Sequence, residues 1–179
     1  MTFKRLIKKT FRYFGLEVNK INKEIKNISF DEIYKKKIKK NPIIFDVGAN
    51  KGQSIERFKK NFENPIIYAF EPIKFEFDIL KEKYSNDENV ILNNYAIGDK
   101  NEIKDFNIMA QTGNSSFNKL TPDTDWLKKR SKQFNTTKEG FVREIQKIQI
   151  KTLDYYCEKN NIKNIDLLKI DTQGYEDKV

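Results

Sequence analysis

The stretch Phe45-Asp46-Val47-Gly48-Ala49-Asn50-Lys51-Gly52-Gln53 decides how the rest of the chain reads. An apolar strand runs into an acid, two glycines follow, and a helix begins. Glycines at such a turn let the backbone approach a ligand closely, and the start of the next helix offers free amides to a polar or anionic group. An ordinary tight turn at a strand end uses glycine in the same way, and nucleotide sites in general share it, so the stretch fixes strand, turn and helix but no single ligand.

Outward from this turn, short apolar runs without alternation recur at Ile43 to Val47, Ile66 to Phe70, Val90 to Leu92 and Ile165 to Ile170. Runs of that length and character suit strands buried on both faces of a parallel sheet. Helical spacing lies between them: Ile55, Phe58 and Phe62 share one face, as do Phe75 and Ile79, and then Leu153, Tyr156 and Cys157. Strand alternating with helix predicts an α/β fold with a doubly wound, mostly parallel sheet and right-handed crossovers. Residues 101–151 break the rhythm with two strand-like pieces, Glu102 to Met109 and Ile145 to Ile150, around a polar segment. They read as an insertion over the C-terminal edge of the sheet and a candidate substrate lid.

Residues 1–41 differ in kind. Phe3, Leu6, Ile7, Phe11 and Phe14 recur at helical spacing opposite Lys4, Arg5, Lys8, Lys9 and Arg12, which makes a basic amphipathic helix. A second helix is expected from about Asp31 to Lys40, stopped by Asn41 and Pro42, with the α/β domain occupying 42–179. No apolar run approaches the length needed to span a bilayer and no signal-peptide core is present, so the expected location is cytoplasmic. The stripe at residues 3–14 adds the expectation of weak peripheral contact with the inner face of the membrane.

Composition excludes whole reaction classes. With no histidine and the lone Cys157, the chain cannot build a Ser-His triad, a papain-like dyad, a His-bearing zinc site or an intrachain disulfide. Acid and base chemistry falls to carboxylates, Lys or Tyr. The net charge of +9 comes from lysines dispersed along the chain, without a recognisable nucleic-acid module, so no nucleic-acid partner is expected.

Two further elements complement the glycine turn. Strand Ile66 to Phe70 ends in Glu71, followed by Pro72. Alone, such an acid reads as a helix N-terminal residue favoured by the macrodipole; about 20 residues beyond the glycines, it is placed to accept both hydroxyls of a ribose. The last apolar strand carries Lys169 and then Asp171, two residues apart and therefore on one side of a strand. A buried strand does not carry Lys without a partner, so either an ion pair or a catalytic role is implied.

Together these elements resemble the FkbM family of methyltransferases from about Pro42 onward. The likeness is carried by Phe45-Asp46-Val47-Gly48-Ala49-Asn50 with Gly52-Gln53, Phe70-Glu71-Pro72, Asn94 with Ala96-Ile97-Gly98-Asp99, Asn114-Ser115-Ser116, Thr152-Leu153-Asp154, and Leu168-Lys169-Ile170-Asp171 with Gly174-Tyr175-Glu176. The resemblance implies a class I methyltransferase (Rossmann-like) fold with S-adenosyl-L-methionine across the C-terminal ends of the first three strands. Asp46, Gly48, Asn50 and Gly52 would surround its methionine part, Glu71 would hold the ribose, and Asn94 and Ala96 would border the adenine. Asp171, with Lys169, would face the transferred methyl group as the catalytic or acceptor-orienting position. The implied reaction is O-methylation of a carbohydrate or other small-molecule hydroxyl, with Asp171 as the candidate base; one carboxylate is a poor metal signature, and no metal site is expected. The resemblance also implies further elements after Asp171, where the sequence has eight residues, so a fragment and a truncated copy both fit. A nicotinamide-dependent dehydrogenase lacks its Gly-x-Gly-x-x-Gly pattern here, and a non-catalytic scaffold or peripheral membrane protein is the alternative from another class. Oligomeric state is not legible.

Overall fold

The computed structural model describes residues 29–109, 112–118, 124–133 and 142–179. The chain divides into two units, Met1–Lys36 and Lys37–Val179. The basic stripe at residues 3–14 lies outside the described residues. Helix α1 (Phe30–Lys37) is begun by Ser29, whose hydroxyl accepts the amide of Glu32 at 3.2 Å, and it stops before Pro42, shorter than the expected run to Lys40.

In the second unit, β1 (Ile43–Val47), β2 (Ile66–Phe70), β3 (Val90–Asn93) and β7 (Leu167–Ile170) form one sheet in the order β3-β2-β1-β7, with every pairing parallel. Helices α2 (Gln53–Asn61), α3 (Lys74–Tyr84) and α5 (Leu153–Lys159) make the crossovers. Both faces are used. Asp46 accepts the Ser54 hydroxyl of α2 on one face, while its neighbour Phe45 points the opposite way and meets Tyr156 of α5, ring centroids 5.8 Å apart. This is the doubly wound, mostly parallel α/β fold that the alternation of strand and helix predicts.

The strands are held by what they bury. Ile44, Phe45, Val47, Ile67 and Phe70 are at most 1% exposed, and Phe45, Phe70 and Tyr156 pack at centroid distances of 4.9 to 5.8 Å. Each such side chain contributes about 2–3 kcal/mol relative to leaving it in water. β7 departs from the expected burial: among the described residues it pairs with β1 alone, and Leu168 is 40% exposed. An edge strand has covered neighbours on only one side.

A second, three-stranded sheet follows, ordered β4 (Ala96–Ile97), β6 (Val142–Lys151), β5 (Glu102–Met109), with β5 and β6 antiparallel. Its alternation decides its inner face. Phe106, Ile108, Ile148 and Ile150 are buried, whereas Ile103 and Ile145 are 68% and 62% exposed. The buried set shares a core with Ile73, Ala96, Phe117 and Tyr175. Because Ile73 follows β2 and Tyr175 follows β7, this sheet covers the C-terminal edge of the first. Between β5 and β6 lie a short turn at Thr112–Asn114 and helix α4 (Asp125–Gln133).

Helix α3 corrects one reading. Phe75 is 64% exposed, and the buried face consists of Glu76, Leu80 and Tyr84. The stripe does run at i, i+4, i+8, but its first member is a carboxylate, so apolar spacing alone selected the wrong face.

Candidate functional site

Three strands deliver their ends to one place. After β1, Gly48, Asn50 and Gly52 all take positive φ, at 79°, 48° and 88°. Gly48 is required twice over. Its φ disfavours a side chain, and a Cβ there would lie 2.0 Å from the carbonyl oxygen of Asp171. The Gly48 and Ala49 amides donate to the Phe70 carbonyl at 3.0 and 3.1 Å, and the Asp171 amide donates to the Val47 carbonyl at 3.0 Å. The turn is therefore pinned between the end of β2 and the end of β7. Gly52 opens α2 in a left-handed conformation and packs where a Cβ would meet Leu80 and Tyr84.

Glu71, at the tip of β2, is 4% exposed. Its Oε2 accepts the Asn50 amide at 2.9 Å and its Oε1 the Ile73 amide at 2.8 Å. Burial pushes its carboxyl up to about 7; the two amides pull down against that, the Glu76 carboxylate adds to it, and the Lys169 ammonium opposes it. Each oxygen retains acceptor capacity beyond its amide. Asn94 supports this tip from below β3, donating to the carbonyls of Glu71 and Pro72 at 2.9 and 3.2 Å. Ala96 is buried at the start of β4, beside Ile73 in the core.

Lys169 sits opposite Asp46 in the β1–β7 register, so both side chains leave the sheet on one face. Its ammonium lies 3.0 Å from Asp46 Oδ1 and donates to the Gly48 carbonyl at 2.7 Å. Asp46 is fully buried; its Oδ2 accepts the Ser54 hydroxyl and its Oδ1 faces the Lys169 ammonium as an ion pair, so the charge is compensated where a lone carboxylate would be costly. Asp171 comes just past the strand and is exposed; Gln173 donates to its Oδ1 at 2.8 Å. The cover sheet reaches this loop, with Ser116 Oγ donating to the Gln173 carbonyl at 2.8 Å and Asn118 Nδ2 to the Gly174 carbonyl at 2.6 Å.

The geometry thus gathers Asp46, Gly48, Asn50, Glu71, Lys169 and Asp171 around one turn, with Gly52 and Asn94 one layer out. The scan of family models matches the chain over residues 46–179 to the methyltransferase FkbM domain. The chain belongs to the FkbM methyltransferase family. Among solved structures, it is similar to a candidate rRNA methylase from Clostridium thermocellum, at 13% identity and a TM-score of 0.33, over 44% of this chain and 43% of that one. No protein of curated function matches it.

Among the residues of this FkbM domain that sequence reasoning passed over are Ser54, Glu76, Thr112 and Gln173. Thr112 donates its hydroxyl to Glu76, which is fully buried on the inner face of α3. A charged residue four before Leu80 and eight before Tyr84 was the available signal. Gln173 carried no such signal: its role depends on a positive φ of 56° that turns its side chain back onto Asp171. Among the described residues, no group of three or more metal-ligating side chains gathers, and no helix is long and apolar enough to cross a membrane.

Proposed function

We propose that this methyltransferase takes S-adenosyl-L-methionine as its methyl donor and methylates a hydroxyl of a carbohydrate or other small molecule. The observation that carries this reading is Glu71: a buried carboxylate whose oxygens each hold one backbone amide, beside the positive-φ turn that follows β1. A carboxylate in that state suits a pair of vicinal hydroxyls, which bring the donors that compensate its desolvation. Gly48, Asn50 and Gly52 would line the methionine end, with Asp46 and Lys169 fixing the turn from behind, and Asn94 and Ala96 would border the base.

The cofactor supplies an electrophilic methyl group, so the protein's contribution is chiefly position and dryness. Asp171, held by Gln173 at one oxygen, is the proposed acceptor of the hydroxyl proton. Lys169 acts through Asp46 and the Gly48 carbonyl as a positioning residue. The acceptor is expected to be a small molecule or glycan and not a nucleic acid, and the expected location is the cytoplasm, with weak membrane contact proposed for the basic stripe at residues 3–14.

Calorimetric titration of the purified chain with S-adenosylhomocysteine tests the reading. Binding by the wild type that is lost in Glu71→Ala supports it. A wild-type chain that binds neither S-adenosylhomocysteine nor S-adenosylmethionine overturns it.

A further inference from the structure

We infer that a groove between the outer face of the cover sheet and the first turn of α5 binds a neutral sugar, at a place separate from the turn after β1. The groove holds about 290 Å³, close to the roughly 300 Å³ at which ligand sites begin, which gives room for one monosaccharide. Asn101, Glu102, Ile103, Gln149 and Lys151 line it from the base of the hairpin, and Tyr155 from the helix.

The strand register explains why these residues gather. Ile103 stands opposite Gln149, so the two share the face turned away from buried Ile148 and Ile150, and Lys151 continues that face by the same alternation. Asn101 joins the strands to the helix: its Oδ1 accepts the Thr152 amide at 3.0 Å. Thr152 in turn caps α5, its hydroxyl accepting the Tyr155 amide at 3.1 Å. One short chain of bonds thus sets the aromatic side of the groove against its sheet side.

Ile103 is 68% exposed and Tyr155 39%. A single exposed apolar side chain is ordinary, but two against one concavity otherwise lined by amides and charges set an apolar patch beside hydrogen-bonding groups. Sugars carry the matching pair, a face of C–H groups and a rim of hydroxyls that donate and accept. The side-chain amides of Asn101 and Gln149 and the Tyr155 hydroxyl also do both. Charge narrows the class further. The lining has one acid, Glu102, and one base, Lys151, which cancel in a chain of net charge +9, and the Lys151 ammonium lies 4.0 Å from the ring centroid of Tyr95. An anion gains little from a groove without net positive charge, and a wholly apolar ligand would strand its amides. A neutral polyhydroxyl ligand meets both conditions.

Because this face looks away from the core that Tyr175 shares with Ile148 and Ile150, a sugar held here is not the one offered to Asp171. A glycan acceptor would be gripped by a unit other than the methylated one. That consequence rests on the proposed acceptor class; the groove itself does not.

The test is two-dimensional amide NMR of the isotope-labelled chain, titrated with the methyl glycosides of glucose, galactose, mannose and rhamnose, each to about 50 mM. At least one is expected to shift the amides of Ile103, Gln149, Lys151 and Tyr155 saturably, with a Kd of about 1–10 mM, the range of a small open site. Tyr155→Ala and Ile103→Asp should each weaken that binding at least about fivefold. Both positions are exposed, so both variants are expected to fold, and should one fail to, the other decides. Absence of shifts with all four sugars overturns the inference, as do shifts confined to the loop around Asp171, or groove shifts that either folded variant leaves undiminished. Methyl glucuronide binding the groove more than about tenfold tighter than methyl glucoside overturns the neutral class. No methyl donor enters the measurement, so a chain that fails to bind S-adenosylhomocysteine sinks the cofactor reading alone, and a groove that fails to bind sugar sinks only this one.

Discussion

In β1 every residue from Ile44 to Val47 is at most 1% exposed, whereas in the antiparallel pair β5 and β6 burial alternates, with Ile148 and Ile150 covered and Ile145 62% exposed. The difference is one of coverage: β1 lies between two strands and two helical layers, and the hairpin has a single packed face. It separates two tasks. The parallel sheet has no slack, so whatever projects from its strand ends is held to the geometry of the main chain. The cover sheet is anchored on one side only and can vary on the other.

The largest expected break in that comparison comes from Phe45→Ala, which removes the ring that Tyr68, Phe70 and Tyr156 all touch. It should cost about 3–5 kcal/mol in chemical denaturation, a large share of the roughly 5–15 kcal/mol that holds a domain folded. Gly48→Ala should follow, at about 3 kcal/mol, because a positive φ and a contact with the Asp171 carbonyl must both be relieved. Its mark is loss of S-adenosylhomocysteine binding even where the variant is folded. The same change at Gly113, which has open space around it, should leave binding unaltered.

Next is a pH effect confined to the parallel sheet. Glu71 has its carboxyl raised from the ordinary 4.5 to about 7, so the fold prefers its protonated form. Its contribution to stability is therefore greatest below pH 4.5 and is lost as pH rises through about 7, a loss of roughly 3 kcal/mol. Thermal melts of Glu71→Gln should lack that decline. Ligand binding should run the other way, with affinity for S-adenosylhomocysteine rising between pH 6 and 8 (about that window) as the acceptor form of Glu71 is populated, and this rise too should vanish in Glu71→Gln. The smallest effect belongs to the outer face of the hairpin: Ile103→Thr or Lys147→Ala should change stability by less than about 0.5 kcal/mol, since Ile103 and the Lys147–Asp105 pair are exposed.

The contrast also explains what could be read in the sequence. Unbroken apolar runs placed β1, β2 and β3 within a residue or so, because burial on both faces leaves no room for polar side chains there. The strand ends were legible for the same reason: Asp46, Glu71 and Lys169 stand out as charges in apolar runs, and each does meet a partner or a backbone amide. Helix α3 misled because its buried face begins with Glu76 and its exposed face carries Phe75, so that hydrophobicity pointed outward. The tie from Ser116 and Asn118 to the loop after β7 joins residues more than fifty positions apart, and no local pattern announces such a bond.

The close approach of Gly48 to the Asp171 carbonyl has a bearing on how such a protein could diversify. The turn proposed to carry the methyl donor and the residue proposed to take the acceptor's proton are spliced through main-chain contact, with no side chain to lengthen or trim between them. Their spacing is in effect a constant of the backbone. New acceptors would have to be accommodated by redrawing the half-anchored cover, where a change of residue leaves that spacing alone.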